Sequence, residues 1–186
     1  MTVLCIFSES GPDPREVVTD PATIADRLQT IGGLFGRWET EAELPAGAEP
    51  QAILDAYRGP VASLQQQFGF RSADVIGVHP EHPQKAELRA RFLNEHVHAD
   101  FEVRFFVQGR GLFYLHPDDR VFGLLCERGD LLSVPAGLKH WFDMGAEPHL
   151  QCIRLFTTPE GWAADFTGSA IGDHFPKLET FRNRFP

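Results

Sequence analysis

The segment NEHVHADFEVRFFV, residues 94–107, combines side chains that can bind a metal ion with the apolar pattern of a β-strand. Successive side chains of a strand point to opposite faces, so residues of equal parity share a face. The even positions carry four polar side chains: His96, His98, Glu102 and Arg104. The odd positions carry four apolar ones: Phe101, Val103, Phe105 and Val107. We therefore predict one face packed on the core and one that holds two imidazoles, a carboxylate and a guanidinium.

Two imidazoles and a carboxylate are a ligand set for a divalent first-row metal ion. With open positions they suit non-haem Fe(II), and a further imidazole suits nickel or zinc equally well. The segment GDLLSVPAGLKHWF offers that imidazole in His140. Pro135 and Gly137 predict a tight turn between two strands, which would direct His140 towards the neighbouring strand.

Other titratable residues receive simpler interpretations. Five histidines are predicted to be surface or capping residues: His79, His82, His116, His149 and His174. The first two lie in a proline-flanked loop, the third begins the HPDD turn, and the last two lack partners in register. Three cysteines lie in apolar runs and are predicted to be buried thiols of a reduced, cytoplasmic protein: Cys5, Cys126 and Cys152. Glu95 precedes the first predicted ligand but has the opposite parity. It either orients an imidazole or is a solvated charge.

Length and composition indicate one globular domain. The chain has 186 residues, of which 42% are hydrophobic, and its formal net charge is -9. This charge argues against nucleic acid and against a polybasic membrane contact. The opening MTVLCIFSES lacks the features of a signal peptide, and no apolar stretch approaches the roughly 18 residues of a membrane helix.

The elements that position these residues divide the chain into three parts. Residues 20–92 are predicted to be helix-rich, with helices over 21–31 behind the cap Asp20, over 53–68 with an interruption at Gly59-Pro60, and over 84–93. Residues 92–157 contain short strands separated by turn signals, which favour a sandwich or small barrel. After an opening strand at 3–7, these strands fall near 101–107, 111–116, 120–127, 130–134, 139–143 and 149–156. Residues 158–186 are predicted to be irregular.

The combined pattern H-x-H-x(3)-E-x(6)-G and G-x(5)-P-x-G-x(2)-H resembles the two metal-binding motifs of the cupin superfamily. The motifs end at Gly109 and His140. Ala90 replaces a usual glycine and Met144 a frequent asparagine, but neither is a ligand position. The resemblance implies a mainly β fold with flanking helices, the cupin barrel, also called a jelly roll or double-stranded β-helix.

A closer resemblance covers nearly the whole chain. The strings RFLNEHVHADFEVRFFVQGRGLFYL and IRLFTTPEGWAADFTGSAIGDHFP resemble the bacterial branch of the acireductone dioxygenase family of methionine salvage. Phe101 departs from the family, which usually has an acidic residue there. The resemblance implies that one Fe(II) or Ni(II) ion per chain is bound by four ligands: His96, His98, Glu102 and His140.

The family also implies a substrate and its products. The acireductone 1,2-dihydroxy-3-keto-5-methylthiopentene would chelate the metal through two oxygens as a dianion and react with O2. Iron implies 4-methylthio-2-oxobutanoate and formate; nickel implies 3-methylthiopropionate, formate and carbon monoxide. No nucleic acid or membrane partner is expected, and the family suggests a monomer.

Within this family, Arg104 is the predicted catalytic residue, since a fixed positive charge favours the deprotonated enediol. A structural ion pair with a carboxylate is its alternative. Arg154, also placed in the substrate pocket, is a weaker candidate for the same role as Arg104. Phe92 and Phe142 are predicted to line the pocket for the methylthio tail, with Trp162 as a more distant candidate. Two other functions on the same fold remain open, a metal-dependent sugar isomerase and a non-catalytic small-molecule-binding cupin.

Overall fold

The structure, a computed structural model, describes residues 1–38, 44–45, 47–158 and 163–185. Its strands are β1 (Val3–Ser8), β2 (Pro14–Val18), β3 (Leu34–Arg37), β4 (Ser72–Val78), β5 (His96–Val97), β6 (Glu102–His116), β7 (Arg120–Glu127), β8 (Asp130–Val134), β9 (Lys139–Asp143), β10 (Leu150–Phe156) and β11 (Asp165–Phe166). Its helices are α1 (Pro21–Gln29), α2 (Pro50–Ala56), α3 (Arg58–Phe68), α4 (Lys85–Phe92) and α5 (Leu178–Arg184), with a 3-10 turn at Ile171–His174.

Strand β6 joins two antiparallel sheets. Its second half pairs with β7 and β9 in a sheet of order β11-β5-β9-β6-β7-β1-β2. Its first half pairs with β8 and β10 in a second sheet, which β3 and β4 extend. The strand that carries Glu102 and Arg104 therefore belongs to both walls of the barrel.

Gly109 lets β6 continue where the sequence predicts a turn between two strands. Its φ is +71°, and a Cβ atom at this position would lie 1.6 Å from the His149 carbonyl oxygen, so only glycine fits. The parity of the inward face changes here, from Phe106 before the glycine to Phe113 and Leu115 after it. The separate strands predicted at 101–107 and 111–116 are thus one bent strand.

Three apolar layers follow from this geometry. The inner layer, between the sheets, draws on β1, β4, β6, β7, β8, β9 and β10. The outer face of the first sheet is covered by the C-terminal segment, through Phe175, Leu178 and Phe181. The outer face of the second sheet, with Val103 and Phe105, is covered by α2 and α3. Both sheets are therefore buried on both sides over much of their length.

The predicted helices lie close to their expected positions. The Asp20 carboxylate accepts a hydrogen bond of 2.9 Å from Thr23 N and caps α1. The interruption predicted at Gly59-Pro60 is a break at Tyr57 between α2 and α3, which places Pro60 in the first turn of α3. Proline is tolerated there because the first-turn N–H groups have no partner within the helix.

Other expectations need correction. The segment after residue 158, predicted as irregular, contains β11, the 3-10 turn and α5 among its described residues. Strands β2 and β3 were also missed. Phe101, predicted on the apolar face, lies outside β6 and is 43% exposed. No helix in the described ranges is both long and apolar enough to cross a membrane.

The cysteines are buried free thiols, as predicted. Burial raises the pKa of Cys5 and of Cys152 to about 12, so both thiols are protonated and unreactive at neutral pH.

Asp143, at the end of β9, connects α4 and α5 to the barrel through hydrogen bonds. Its buried carboxylate accepts bonds of 2.7 and 3.0 Å from Arg89 on α4, and of 2.8 Å from the backbone N–H of Leu178 at the start of α5. Gly145 N donates a further bond of 2.9 Å. Burial alone would raise the pKa of Asp143, but these hydrogen bonds and the Arg89 charge outweigh it and lower the pKa.

Replacing Asp143 with asparagine should lower the free energy of unfolding by roughly 2–4 kcal/mol at neutral pH, because Arg89 loses its buried counter-charge and keeps an exposed one, Glu179. A carboxyl with a lowered folded pKa stabilises the fold above its unfolded pKa and loses this effect as the pH falls through the folded value. The gap between wild type and Asp143→Asn should therefore shrink in acid. Urea unfolding of both proteins over a pH series measures this difference in the free energy of unfolding.

The matched control is Asp55→Asn, which removes an exposed ion pair with Arg58. This variant should keep the wild-type stability at every pH, since exposed pairs contribute little. Equal losses in the two variants would contradict the role assigned to Asp143.

Candidate metal centre

Three separate elements bring the four predicted ligands together. His96 on β5 is the direct cross-strand partner of His140 on β9, Glu102 is the first residue of β6, and His98 lies in the connection between β5 and β6. All four are buried, and one donor atom from each lies within 4.8 Å of the others. The prediction that His96 and His98 share one strand face with Glu102 and Arg104 is wrong. The shared face holds only for Glu102 and Arg104, because the backbone leaves the strand between residues 98 and 101.

Backbone carbonyls fix the orientation of each imidazole. His96 Nδ1 lies 2.7 Å from the carbonyl oxygen of Asn94. His98 Nδ1 lies 2.9 Å from that of Ala163, and His140 Nδ1 lies 2.7 Å from that of Leu138. A carbonyl oxygen only accepts, so each Nδ1 carries a proton. The Nε2 lone pairs are thereby available to a metal, the arrangement usual for histidine ligands.

The Glu102 carboxylate divides its oxygens between an arginine and the imidazoles. Oε1 accepts a bond of 2.6 Å from Arg104 Nε. Oε2 lies 2.9 Å from His140 Nε2 and 3.1 Å from His98 Nε2. A neutral Nε2 and a carboxylate oxygen both accept, so this proximity requires a proton or a cation between them. The donor set thus fits a divalent metal ion.

The pKa values follow from burial and from these contacts. Burial, with the nearby His140, lowers the pKa of His96 to about 4, which keeps this imidazole neutral. Burial would also lower the pKa of His98, but its hydrogen bond to Glu102 outweighs this and raises it. Burial would raise the pKa of Glu102, yet the Arg104 charge and the imidazole contacts hold it well below its usual range. Glu102 is therefore ionised.

A cavity of about 270 Å³ opens onto the four side chains. The predicted pocket residues Phe92, Phe142, Arg104 and Arg154 all line it. Five lining residues were not predicted from the sequence: Ile76, Leu88, Arg91, Ala164 and Phe166. The spacing of Leu88 and Phe92, four residues apart on α4, was a usable signal, because such residues share a helix face. Phe166 had no local signal, since only its pairing with His96 brings it to the site.

Aromatic rings surround the Arg104 guanidinium. Its Cζ lies 4.9 Å from the ring centroid of Phe142, 5.5 Å from that of Phe113 and 5.8 Å from that of Phe92. These distances fit cation–π contacts, which gain strength where water is excluded. Arg104 is 5% exposed, so its charge is held in the cavity wall.

Arg154 is held at the cavity edge by an acidic partner. It pairs with Arg104 across β10 and β6, and donates two hydrogen bonds to the Asp74 carboxylate, of 2.8 and 2.5 Å. Its side chain is 26% exposed. Trp162, the other weak candidate, lies outside the described residues.

Glu95 and His116 differ from the sequence interpretation. His116, predicted at the surface, is 5% exposed because β6 extends to it and its ring packs near Trp141. Glu95 is 2% exposed, so it is not a solvated charge. Its carboxylate bonds His116 and Thr167 rather than the imidazoles of the centre. The histidines at 79, 149 and 174 are exposed, as predicted, and His82 is half-buried.

Comparisons with known proteins agree with one another. The model of the ARD/ARD' family matches residues 4–164. The chain is 61% identical over 185 residues to the acireductone dioxygenase of Methylococcus capsulatus, covering 100% of both chains. It is 53% identical over 183 residues to that of Aquifex aeolicus, covering 98% of this chain and 100% of the relative.

A solved structure extends the likeness to the fold. The acireductone dioxygenase from Bacillus anthracis, with a cadmium ion in its active centre, superposes with a TM-score of 0.77 at 28% identity. The match covers 89% of this chain and 98% of the other. The predicted mainly β cupin barrel with flanking helices is thereby confirmed.

His96→Ala or Glu102→Ala should abolish stoichiometric metal binding, because each removes one donor from the cluster. We expect the affinity for a divalent ion to fall by more than about 100-fold, beyond the effect of losing a residue that only orients a ligand. Metal analysis after anaerobic loading and gel filtration measures this. His149→Ala, which removes an exposed imidazole, should bind like the wild type. A full equivalent of metal in both cluster variants would refute the ligand assignment.

Proposed function

The chain belongs to the ARD/ARD' family, and from this premise we propose that His96, His98, Glu102 and His140 bind one Fe(II) or Ni(II) ion per chain. The chain is an enzyme, a dioxygenase whose substrates are an acireductone and O2, and its reaction belongs to methionine salvage. We further propose that the acireductone is 1,2-dihydroxy-3-keto-5-methylthiopentene.

The convergence of four donor atoms within 4.8 Å is the observation that supports this proposal. Three imidazoles and one carboxylate leave two positions of an octahedron for a substrate that binds through two oxygens. When bound, the ion supplies Lewis acidity and a template that holds the substrate in place. The chain itself fixes the ligand orientation, through the carbonyls that receive each Nδ1 proton.

Arg104 is the proposed anion-stabilising residue. A reductone loses a proton readily because the charge of its anion is delocalised, and a buried guanidinium stabilises that anion without reorganisation. The structural ion pair considered as an alternative is present, to Glu102. The two roles are compatible, because the guanidinium reaches Glu102 through Nε and also lines the cavity.

The apolar part of the cavity suits the methylthio end of the substrate. Phe92 and Phe142 stand edge to face with ring centroids 6.1 Å apart, and Ile76 and Leu88 complete this wall. Apolar burial of a thioether is favourable and excludes water from the reacting end. Arg154 is a weaker candidate for substrate contact, since Asp74 holds its guanidinium.

The two other functions considered for this fold are less well supported. A sugar isomerase needs a general base beside the metal, but the described cavity lining has no lysine and its one carboxylate is Glu102. A non-catalytic binding protein would not need a complete ligand set.

Several narrower expectations stay proposals. The identity of the ion determines the products, so that iron gives 4-methylthio-2-oxobutanoate and formate, while nickel gives 3-methylthiopropionate, formate and carbon monoxide. We also propose one domain over residues 1–186, a monomer, and a location in the cytoplasm.

Replacing Arg104 with alanine should lower kcat by about 100- to 1000-fold, the usual cost of removing one donor from an anion site. The variant should still bind metal, because all four donors remain. Steady-state kinetics combined with metal analysis separates these effects. Arg15→Ala is the control, since it removes the same charge at an exposed position of β2, the strand at the far end of the first sheet from β11. Normal turnover by metal-loaded Arg104→Ala would contradict the role.

Anaerobic reconstitution of the stripped protein with Fe(II) or Ni(II), followed by acireductone and O2, tests the function directly. We expect the oxo-acid from the iron form and carbon monoxide from the nickel form. The Glu102→Ala protein, loaded in the same way, reports any reaction of free metal. Identical products from the two loaded forms would refute control by the metal, and no consumption by either would refute the proposed substrate.

A further inference from the structure

Glu95 and His116, both buried, form a polar cluster with the exposed Thr167 beside the metal centre, and the proposed reaction gives this cluster no role. Oε2 of Glu95 lies 2.6 Å from His116 Nδ1, and Oε1 accepts a bond of 2.7 Å from the Thr167 hydroxyl. Thr167 N also donates to the Glu95 carbonyl oxygen, at 3.1 Å. The Glu95 carboxylate, just before β5, thus connects the end of β6 with the residue that follows β11.

Stability alone does not explain this cluster, because burying its charged and polar groups costs free energy. A carboxylate and an imidazole lose hydration when buried, and an apolar pair of similar volume often packs equally well. The far nitrogen of His116 lies 3.5 Å from Glu9 Oε1, so the ring stands between two carboxylates. A role at the metal centre explains the position of the cluster better than stability alone. Glu95 directly precedes His96 and Thr167 directly follows Phe166, and both neighbours line the metal cavity.

The segment that Thr167 anchors contacts two imidazoles of the centre. The Ala163 carbonyl oxygen receives the Nδ1 proton of His98, at 2.9 Å. The ring of Phe166 stands edge to face on His96, with centroids 5.7 Å apart. This segment pairs with the barrel through two strands of only two residues each, at the end of the sheet. So short a ladder holds the segment weakly.

We propose that Glu95, His116 and Thr167 are positioning residues, which hold residues 163–167 against the centre and thereby orient His96 and His98 for metal binding. The inference rests on the ligand set proposed above. Thr167 is the sensitive point, because its hydroxyl and its N–H both reach Glu95 while its side chain faces solvent. Loss of the hydroxyl frees the segment without opening a cavity in the core.

The test compares Thr167→Val with Thr167→Ser. The valine variant loses the hydroxyl, and its dissociation constant for Ni(II) should rise by about tenfold, the lower end of the effect of groups that orient metal ligands. The serine variant keeps the hydroxyl and should bind Ni(II) like the wild type. Competition against a chelating dye gives the constants, and the Tm of the metal-free proteins reports stability separately.

Thr2→Val is the matched control. The Thr2 hydroxyl donates to the buried carboxylate of Asp130, the same pair of groups, and neither residue lines the metal cavity. This variant should lower the Tm of the metal-free protein and leave the Ni(II) constant unchanged.

Each result decides the matter. Wild-type affinity in Thr167→Val would overturn the positioning role, as would an equal loss in Thr2→Val or a failure of serine to restore binding. If the wild-type protein itself bound no Ni(II), the ligand assignment would be wrong, and this inference would fall with it.

Discussion

The buried carboxylate of Glu102 is the constraint on which the site depends. A carboxylate in the interior is tolerated only when each oxygen has a charged or hydrogen-bonding partner. Arg104 takes one oxygen and the imidazoles of His98 and His140 face the other. This division determines where the guanidinium must lie, and the rings of Phe92, Phe113 and Phe142 close around it. The positions of the Arg104 guanidinium and of the four donor side chains therefore both follow from the need to partner the buried Glu102 carboxylate.

The path of β6 through the barrel places Glu102 and Arg104 next to each other in the interior. The first residues of the strand direct Glu102 and Arg104 inwards, and from Phe106 onwards the inward side chains belong to the apolar core. One bent strand therefore provides both a polar end and an apolar body to the same interior. The outer faces of the two sheets are covered by helices and by the C-terminal segment, so side chains pack on both sides of the backbone.

The chemistry of the cavity contrasts with that of the whole chain. The protein has a formal net charge of -9, yet three arginines line the cavity, at 91, 104 and 154. Arg154 is neutralised by Asp74 at the edge, whereas Arg104 is held by a metal-facing carboxylate in the interior. Under the proposed function, an anionic substrate would meet a positive charge beside the four donor atoms and apolar rings next to it.

The sequence by itself predicted which residues form the candidate site, and the structure brings the four proposed donors together. Residue type and spacing predicted His96, His98 and Glu102 as donors with Arg104 beside Glu102, and they offered His140 as a further donor. The family resemblance then implied the complete ligand set and a pocket with the aromatic residues at 92 and 142. Strand parity was a valid guide only for Glu102 and Arg104, which lie on one strand. Only the tertiary structure decided how the site residues meet. His96 reaches His140 through pairing of β5 with β9, and Phe166 reaches the cavity through pairing of β11 with β5. Burial of His116 and the bonds of Glu95 likewise depend on segments far apart in the chain. Such contacts leave no periodic signal, since a side chain's partner across a sheet is set by strand order and register rather than by its neighbours in sequence.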